Sequence, residues 1–188
     1  MAHPSPGFKE KIILGIDPGT NVMGFGLLRV AGRELELLAM GSVQMKDADY
    51  GLKLKRIFEK VLELIDQYHP DEFAVEAPFY GKNVQSMLKL GRAQGVSMAA
   101  ALYRDIPISE YSPRKIKQSI TGSGAASKEQ VAGMLQKILK IDQLPKSLDA
   151  TDGLAVALCH YYQSTSAVTK SGSKDWSSFI AKNPGRVK

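Results

Sequence analysis

Four acidic residues occupy positions from which carboxylates can do chemistry. Asp17 follows the apolar run of residues 12–16, and Glu76 closes the short run EFAVE. Asp149 and Asp152 are three residues apart in DATDGLAVAL, a spacing that places both on one face of a helix. If the two apolar runs are neighbouring strands, all four carboxylates can meet at one edge of a sheet. Such a group requires balancing cations, and oxygen ligands favour Mg²⁺ or Mn²⁺.

Each of these acids also has an ordinary structural explanation. The sequence DPGT after the first run has the composition of a turn, and acids in the first turn of a helix interact favourably with its dipole. Residues 154–158 of the last helix are apolar over more of its circumference than an exposed helix allows. Two adjacent charges at the start of a buried helix repel unless a positive group lies between them. Carboxylates around two divalent ions are the standard arrangement for attack on a phosphodiester.

Charge is segregated along the chain, which has 188 residues and a formal net charge of +6. Residues 1–80 and 141–163 are acidic overall, whereas 81–140 and 164–188 are basic. The central basic segment includes Lys82, Lys89, Arg92, Arg104, Arg114, Lys115, Lys117 and Lys128. A solvated helix face explains many such segments, but separated acidic and basic groups also suit a polyanion held beside a metal site.

Composition restricts the class of protein. With 44% hydrophobic residues, the chain has enough apolar content for one well-filled domain. Its one cysteine, Cys159, excludes an internal disulfide and is expected in the core, while His160 has no second Cys or His nearby for a zinc site. We find no signal peptide and no membrane-length apolar run, so we expect a cytoplasmic protein.

The pattern of apolar residues predicts an α/β domain with a mixed five-stranded sheet flanked by helices. Strands are predicted at 12–16, 23–30, 35–45, 72–77 and 106–111, and helices at 52–69, 84–104, from 113, 127–140 and 147–163. We expect a flexible extension over residues 1–10, one domain over 11–163 and a basic, disordered tail over 164–188. The role of Trp176 in that tail is left open.

Five blocks of sequence, in order, resemble the RuvC family of bacterial Holliday junction resolvases. They are ILGIDPGT, FAVEAPFYGKN, SMLKLGRAQGV, KQSITGSGAASKEQV and DATDGLAVAL, and together they span about residues 11–163. The resemblance implies a ribonuclease H-like fold, a homodimer and Mg²⁺-dependent paired nicking of four-way DNA junctions in recombination and repair. It also implies cooperation with the RuvA–RuvB branch-migration complex and a metal-binding, catalytic set made of Asp17, Glu76, Asp149 and Asp152. Some relatives carry histidine at the position that matches Asp149.

The same resemblance predicts which residues contact DNA. They are Phe79, Lys82, Arg114, Lys117 and Lys128. Lys117 and Lys128 are expected near the scissile phosphate, although solvated lysines at helix ends are the plain alternative. Phe79 is expected to stack on junction bases from a loop that begins after Pro78, with burial in the core as the alternative.

Three other functions are compatible with parts of the sequence. An actin-like ATPase or sugar kinase also carries Asp-x-Gly-Thr after its first strand, but this chain lacks a second Asp-Gly-Gly loop. A junction-binding protein without catalysis would gain nothing from four acids near DNA. A ribonuclease H-like nuclease for another substrate, such as an RNA–DNA hybrid, is the third.

Overall fold

A mixed five-stranded sheet runs through the computed structural model, which describes residues 10–78, 83–145 and 147–170. The strands are β1 (Lys11–Asp17), β2 (Val22–Ala31), β3 (Glu34–Gln44), β4 (Glu72–Glu76) and β5 (Ile108–Tyr111). Their order across the sheet is β3-β2-β1-β4-β5. The first three strands form an antiparallel meander, and β4 and β5 continue the sheet parallel to β1. The predicted fold class and the five strands are confirmed.

Five helices are present in the described part of the chain. They are α1 (Tyr50–Tyr68), α2 (Val84–Leu102), α3 (Pro113–Thr121), α4 (Lys128–Ile138) and α5 (Asp149–Lys170). The sequence pattern ended α5 near Gln163, but the helix continues to Lys170 because no glycine or proline interrupts it before Gly172. Residues 1–9 and 171–188, including Trp176, lie outside the described residues. No helix in the described ranges is long and apolar enough to cross a membrane.

Local signals fix the starts of the two short helices that carry basic residues. Ser112 caps α3, with proline at the first helical position, and its side chain accepts a hydrogen bond from the backbone of Lys115. Ser127 and Gln130 form the predicted capping box at the start of α4. The capped starts hold Lys117 and Lys128 on rigid elements beside α5.

The sheet is covered on both faces, because its strands alternate between two hydrophobic clusters. Leu14, Ile16 and Phe73 are fully buried on the side where α1 and α2 pack. Ile13 and Leu28 face the opposite side, where α3, α4 and α5 pack. Asp17 and Glu76 belong to the α5 side, since they alternate with the residues that face α1 and α2.

Three glycines let α5 lie directly on the sheet. Gly15 pairs with Gly26 across β1 and β2, and Gly24 lies on the same face of β2. A Cβ at Gly15 would lie 2.3 Å from the carbonyl oxygen of Gly153, and one at Gly24 would lie 2.2 Å from that of Asp149. We call Gly15, Gly24 and Gly26 the glycine patch. Because it has no side chains, the first turns of α5 reach the strand ends.

Candidate functional site

Asp17 and Glu76 end adjacent parallel strands. In the ladder between β1 and β4, Ile16 pairs with Val75, so the next residue of each strand, an acid in both cases, lies at the same edge of the sheet. This edge is formed by the carboxyl ends of β1 and β4, where α/β proteins place their ligands. The structure thus brings together the two strand acids that the sequence predicted to be neighbours.

The first turn of α5 brings the second pair of acids to this edge, together with a lysine from α4. The ammonium Nζ of Lys128 lies 2.5 Å from Oδ2 of Asp152 and 3.5 Å from Oδ1 of Asp149. The hydroxyl of Ser147 donates a hydrogen bond of 2.8 Å to the other oxygen of Asp149. The Asp152 side chain is 16% exposed and that of Asp149 is 42% exposed, so Asp152 is the inner member of the pair.

A cavity of about 200 Å³ opens between these groups. Its lining comprises Asp17, Glu76, Pro113, Ile116, Lys117, Lys128, Val131, Asp152 and Ala155. Three predicted acids and two predicted lysines therefore face one cavity, while Asp149 is outside its lining and contacts Lys128. Its walls are apolar and its polar groups converge, which is typical of a binding site.

Burial and mutual repulsion shift the strand carboxylates strongly. Burial, followed by the charge of Asp152, raises the pKa of Asp17 to about 6. Burial, followed by the charges of Asp17 and Asp152, raises the pKa of Glu76 to about 8. Lys128 opposes both shifts by its positive charge. The acid cluster is therefore short of positive charge even with one ammonium group beside it.

The donor set suits a divalent cation. All four acidic groups offer oxygen, and the Lys128 ammonium already occupies a cationic position among them. In the described residues, no three His, Cys, Asp or Glu side chains are arranged so that they could hold a metal ion together. Asp149 and Asp152 close instead around Lys128, so ligation of a metal by this set requires that the lysine move away.

The other predicted DNA-contacting residues are only partly described. Lys117 lines the cavity on α3. Arg114, one turn earlier on the same helix, packs its aliphatic stem against Gly124, where an added Cβ would lie 2.5 Å from its Cγ. Phe79 and Lys82 lie outside the described residues, so their predicted contacts with DNA stay predictions.

A partly buried polar network, which the sequence did not predict, connects His160 of α5 to β1, β4 and β5. Nδ1 of His160 lies 2.7 Å from the hydroxyl of Tyr111, and Nε2 lies 2.8 Å from Oε2 of Glu72. The ammonium of Lys11 donates to the same Glu72 oxygen at 2.7 Å. A neutral imidazole satisfies both of its contacts, donating from Nε2 and accepting at Nδ1. Cys159, next to it, is fully buried in the core, as predicted.

The pKa values of this network agree with a neutral histidine. Burial lowers the pKa of His160 and outweighs the opposing effect of Glu72. Burial alone would raise the pKa of Glu72, but hydrogen bonds from Lys11 and His160 bring it below its usual value. The sequence does contain a signal that His160 is buried, because Leu158 and Cys159 precede it and two tyrosines follow it. The partners come from β1, β4 and β5, which no local pattern could identify.

The fold and its acidic edge define the chain as a nuclease-like α/β protein of the ribonuclease H-like class, with helices on both faces of a mixed sheet. A family model described as "Crossover junction endodeoxyribonuclease RuvC" matches residues 13–160. The chain belongs to this family of DNA endonucleases.

Similar proteins cover almost the whole chain. A crossover junction endodeoxyribonuclease RuvC from Bacteroides fragilis is 61% identical over 183 residues, which are 96% of this chain and 97% of that protein. One from Christiangramia forsetii is 58% identical over 180 residues, which are 95% and 94% of the two chains. Among solved structures, T. thermophilus RuvC in complex with Holliday junction substrate has a TM-score of 0.76 and 32% identity, covering 82% of this chain and 94% of that one.

Family membership decides between the functions that the sequence left open. It makes the chain a hydrolase of DNA rather than an actin-like ATPase or sugar kinase. A nuclease of this family depends on a divalent metal ion, which agrees with the charge deficit of the acid cluster.

Proposed function

We propose that this chain resolves four-way DNA junctions by Mg²⁺-dependent paired nicking, with Asp17, Glu76, Asp149 and Asp152 as its metal-binding and catalytic acids. The observation that carries the proposal is the cavity in which Asp17, Glu76 and Asp152 face Lys117 and Lys128. The carboxylates can bind a divalent cation and the ammonium groups can bind phosphates, so the cavity suits a phosphodiester substrate. The T. thermophilus protein, solved with a Holliday junction, supports this choice of substrate.

The four acids would hold divalent ions, which when bound supply the charge that activates an attacking water and stabilises the leaving 3′ oxygen. Mg²⁺ is proposed, with Mn²⁺ as a substitute, because all donors are oxygens. The chain itself performs three tasks. β1 and β4 hold Asp17 and Glu76 rigidly, the carboxyl of Glu76 gives up its proton before it can ligate, and Lys128 leaves Asp152 for a DNA phosphate.

The proposal is tested with a synthetic four-way junction incubated with Mg²⁺, beside a linear duplex and an RNA–DNA hybrid of equal length. We expect paired nicks in the junction alone. Asp17→Asn should abolish cleavage while junction binding stays intact or becomes tighter, because the loss of a negative charge weakens metal binding and reduces repulsion of phosphates. Equal cleavage of the hybrid would indicate the broader ribonuclease H-like nuclease, and cleavage by Asp17→Asn near the wild-type rate would remove this residue from the site.

The aromatic and basic residues of the loop after β4 are proposed to act on the junction itself. Phe79 would stack on unpaired bases, with Lys82 beside it on the backbone, as the family resemblance implies. Phe79→Ala should reduce junction resolution far more than thermal stability. A melting temperature several degrees lower, with unchanged nicking per folded molecule, would place Phe79 in the core instead.

A homodimer is proposed through the outer face of α2. Val84, Leu88 and Leu102 are 57%, 48% and 61% exposed, and Gly91 and Gly95 lie on the same helical stripe with open space beside them. An exposed apolar stripe with small residues at its centre suits close approach of a second copy of the helix. Leu88→Glu should give a monomer in sedimentation, whereas Leu52→Glu, which changes an exposed leucine of α1, should leave the dimer intact.

The remaining proposals rest on the family resemblance. The RuvA–RuvB branch-migration complex is the proposed protein partner, and the cytoplasm is the proposed compartment. A pull-down of RuvA–RuvB by the purified chain in the presence of a four-way junction tests the partnership. Arg114 is proposed to contact the phosphate backbone beside Lys117, on the same helix.

A further inference from the structure

Besides the cavity at the acid cluster, the protein has a basic groove on the side of the sheet away from Lys117 and Lys128. It has a volume of about 430 Å³ and is lined by Thr20, Asn21, Ala48, Tyr50, Lys53, Ser86, Lys89 and Leu90. We call it the α1/α2 groove. Its residues come from the loop after β1, from the loop before α1 with the first turn of that helix, and from the first two turns of α2. Both of these helices pack on the face opposite to α5.

Two of the segments that form this groove follow, along the chain, the strands β1 and β4 that end in Asp17 and Glu76. Thr20 and Asn21 belong to the loop that follows Asp17 at the end of β1, and Ser86 and Lys89 belong to the helix that follows β4. The groove therefore begins at the same sheet edge as the acid cluster. A DNA strand with one phosphate at the acid cluster would have Lys117 and Lys128 on one side of that phosphate. It would have Lys53 and Lys89 on the other side.

The cations of the α1/α2 groove are available for an anion. The Lys89 ammonium is exposed and makes no hydrogen bond or ion pair within the described ranges, and the Lys53 ammonium contacts only the amide oxygen of Asn21, at 3.3 Å. Nearby acids are already engaged. Asp49 accepts a hydrogen bond from the backbone of Leu52, and Asp47 lies 2.9 Å from Nε of Arg56. A backbone hydrogen bond leaves Asp49 as one acid beside the groove, but Lys53, Lys89 and Arg92 outnumber it, so the local balance of charge is positive.

The groove is also held in shape before any ligand arrives. The hydroxyl of Tyr50 donates a 2.8 Å hydrogen bond to the backbone carbonyl of Lys89, and the guanidinium of Arg92 lies 6.0 Å from the centre of the Tyr50 ring. Asn21 is fixed through its carbonyl, which accepts a 2.8 Å hydrogen bond from Met45. These contacts join α1 to α2 and hold the loop after β1 to the residue that follows β3. Binding thus requires little ordering of the backbone.

We propose that the α1/α2 groove binds the sugar-phosphate backbone of a DNA arm, through Lys53 and Lys89, on the opposite side of the acid cluster from Lys117 and Lys128. The inference rests on the proposed function, because the polyanion it names is an arm of the same junction. The two lysine pairs, one on each side of the acid cluster, would fix the direction in which a DNA strand runs across that cluster. Phosphate contacts of this kind position the substrate and carry no base preference.

The test compares Lys53→Gln/Lys89→Gln with the control Lys55→Gln/Lys137→Gln, which loses the same charge. Lys55 is on α1 but pairs with Glu59 at 3.6 Å, and Lys137 is on α4. Binding of a four-way junction is titrated against salt in EDTA. With about 0.9 counterions released per contact, the groove variant should lose roughly 1.8 units of salt slope, which is about 60-fold in affinity at 0.1 M if affinities converge at 1 M. The control should match the wild type.

Single uncharged methylphosphonate linkages, placed one at a time along each arm, then locate the contact. The wild type should lose affinity when a linkage that meets the groove is neutral, and the groove variant should be insensitive to that same linkage. If the groove variant and the control have equal slopes, or if no linkage distinguishes them, the inference is overturned. If the wild type itself binds the junction no better than a linear duplex, the proposed function fails instead.

Discussion

Replacing Gly26 with alanine adds one methyl group where α5 rests on the glycine patch. The new Cβ would lie 2.4 Å from Cα and 2.6 Å from the backbone nitrogen of Leu154. These are backbone atoms of a helix, so no side chain can rotate out of the way. Ordinary contacts of a Cβ begin near 3.4 Å, and α5 must therefore move away from the sheet by about 1 Å.

The expected cost follows from this displacement. Overpacking of a well-filled core costs about 1–3 kcal/mol, and at about 2–4 °C per kcal/mol for a domain of this size the melting temperature falls by roughly 2–12 °C. Gly133→Ala is the matched control. Its Cβ meets nothing within 4 Å on α4, so the better helix propensity of alanine should raise the free energy of unfolding by up to about 1 kcal/mol.

Catalysis provides the second measurement. A displaced α5 carries Asp149 and Asp152 away from Asp17, and a misplacement of about 1 Å in an active site can cost roughly 100-fold in rate. We expect junction cleavage by folded Gly26→Ala to fall by about that factor, and cleavage by Gly133→Ala to equal the wild-type rate. Thermal melts and single-turnover assays at 25 °C decide the matter. If Gly26→Ala is as stable as the wild type, the close packing described for the patch is wrong.

Three further predictions concern charge. Lys128→Met should bind Mn²⁺ at least about tenfold more tightly by calorimetry, because the lysine no longer competes for Asp152; weaker binding would contradict this. Lys117→Ala should weaken junction binding and lower its salt slope by about one unit, and an unchanged salt titration would return it to an ordinary surface lysine. The pKa of His160 is depressed in the folded state, so the unfolded chain takes up its proton first as pH falls below 6.5, and stability is lost. His160→Gln should therefore lose less melting temperature than the wild type between pH 7 and pH 5; an equal loss would mean that His160 is charged when folded.

Short-range patterns in the sequence predicted most of the elements, and the positions of the acids within them. The apolar run EFAVE and the capping box of Ser127 and Gln130 are local signals, and both predicted features are present in the structure. The placing of Asp17 beside Glu76 was inferred from two apolar runs that end in acids. It depended on β1 and β4 being neighbours, which is a fact of topology that no local pattern contains.

Other features depend on contacts between distant segments. The α1/α2 groove needs three separate segments to meet, and Lys53 and Lys89 look like ordinary surface lysines until they do. The glycine patch is visible in the sequence, because Gly24 and Gly26 lie on the same face of one strand. Only the packing of α5 on that face explains why glycine is needed there. The polar composition after Gln163 predicts the wrong end for α5, because that segment holds no helix-breaking residue before Gly172 and the helix continues to Lys170.

The last helix supplies half of the proposed catalytic acids and covers one face of the sheet, and this has a consequence for biosynthesis. Strands β1, β2 and β3 are consecutive and can pair as soon as they leave the ribosome. Asp17 is then present and Glu76 follows with β4, but their partners at positions 149 and 152 are made last of the four. A nascent chain, or a proteolytic fragment that has lost α5, therefore lacks two of the four proposed metal-binding acids, and we expect it not to cleave DNA.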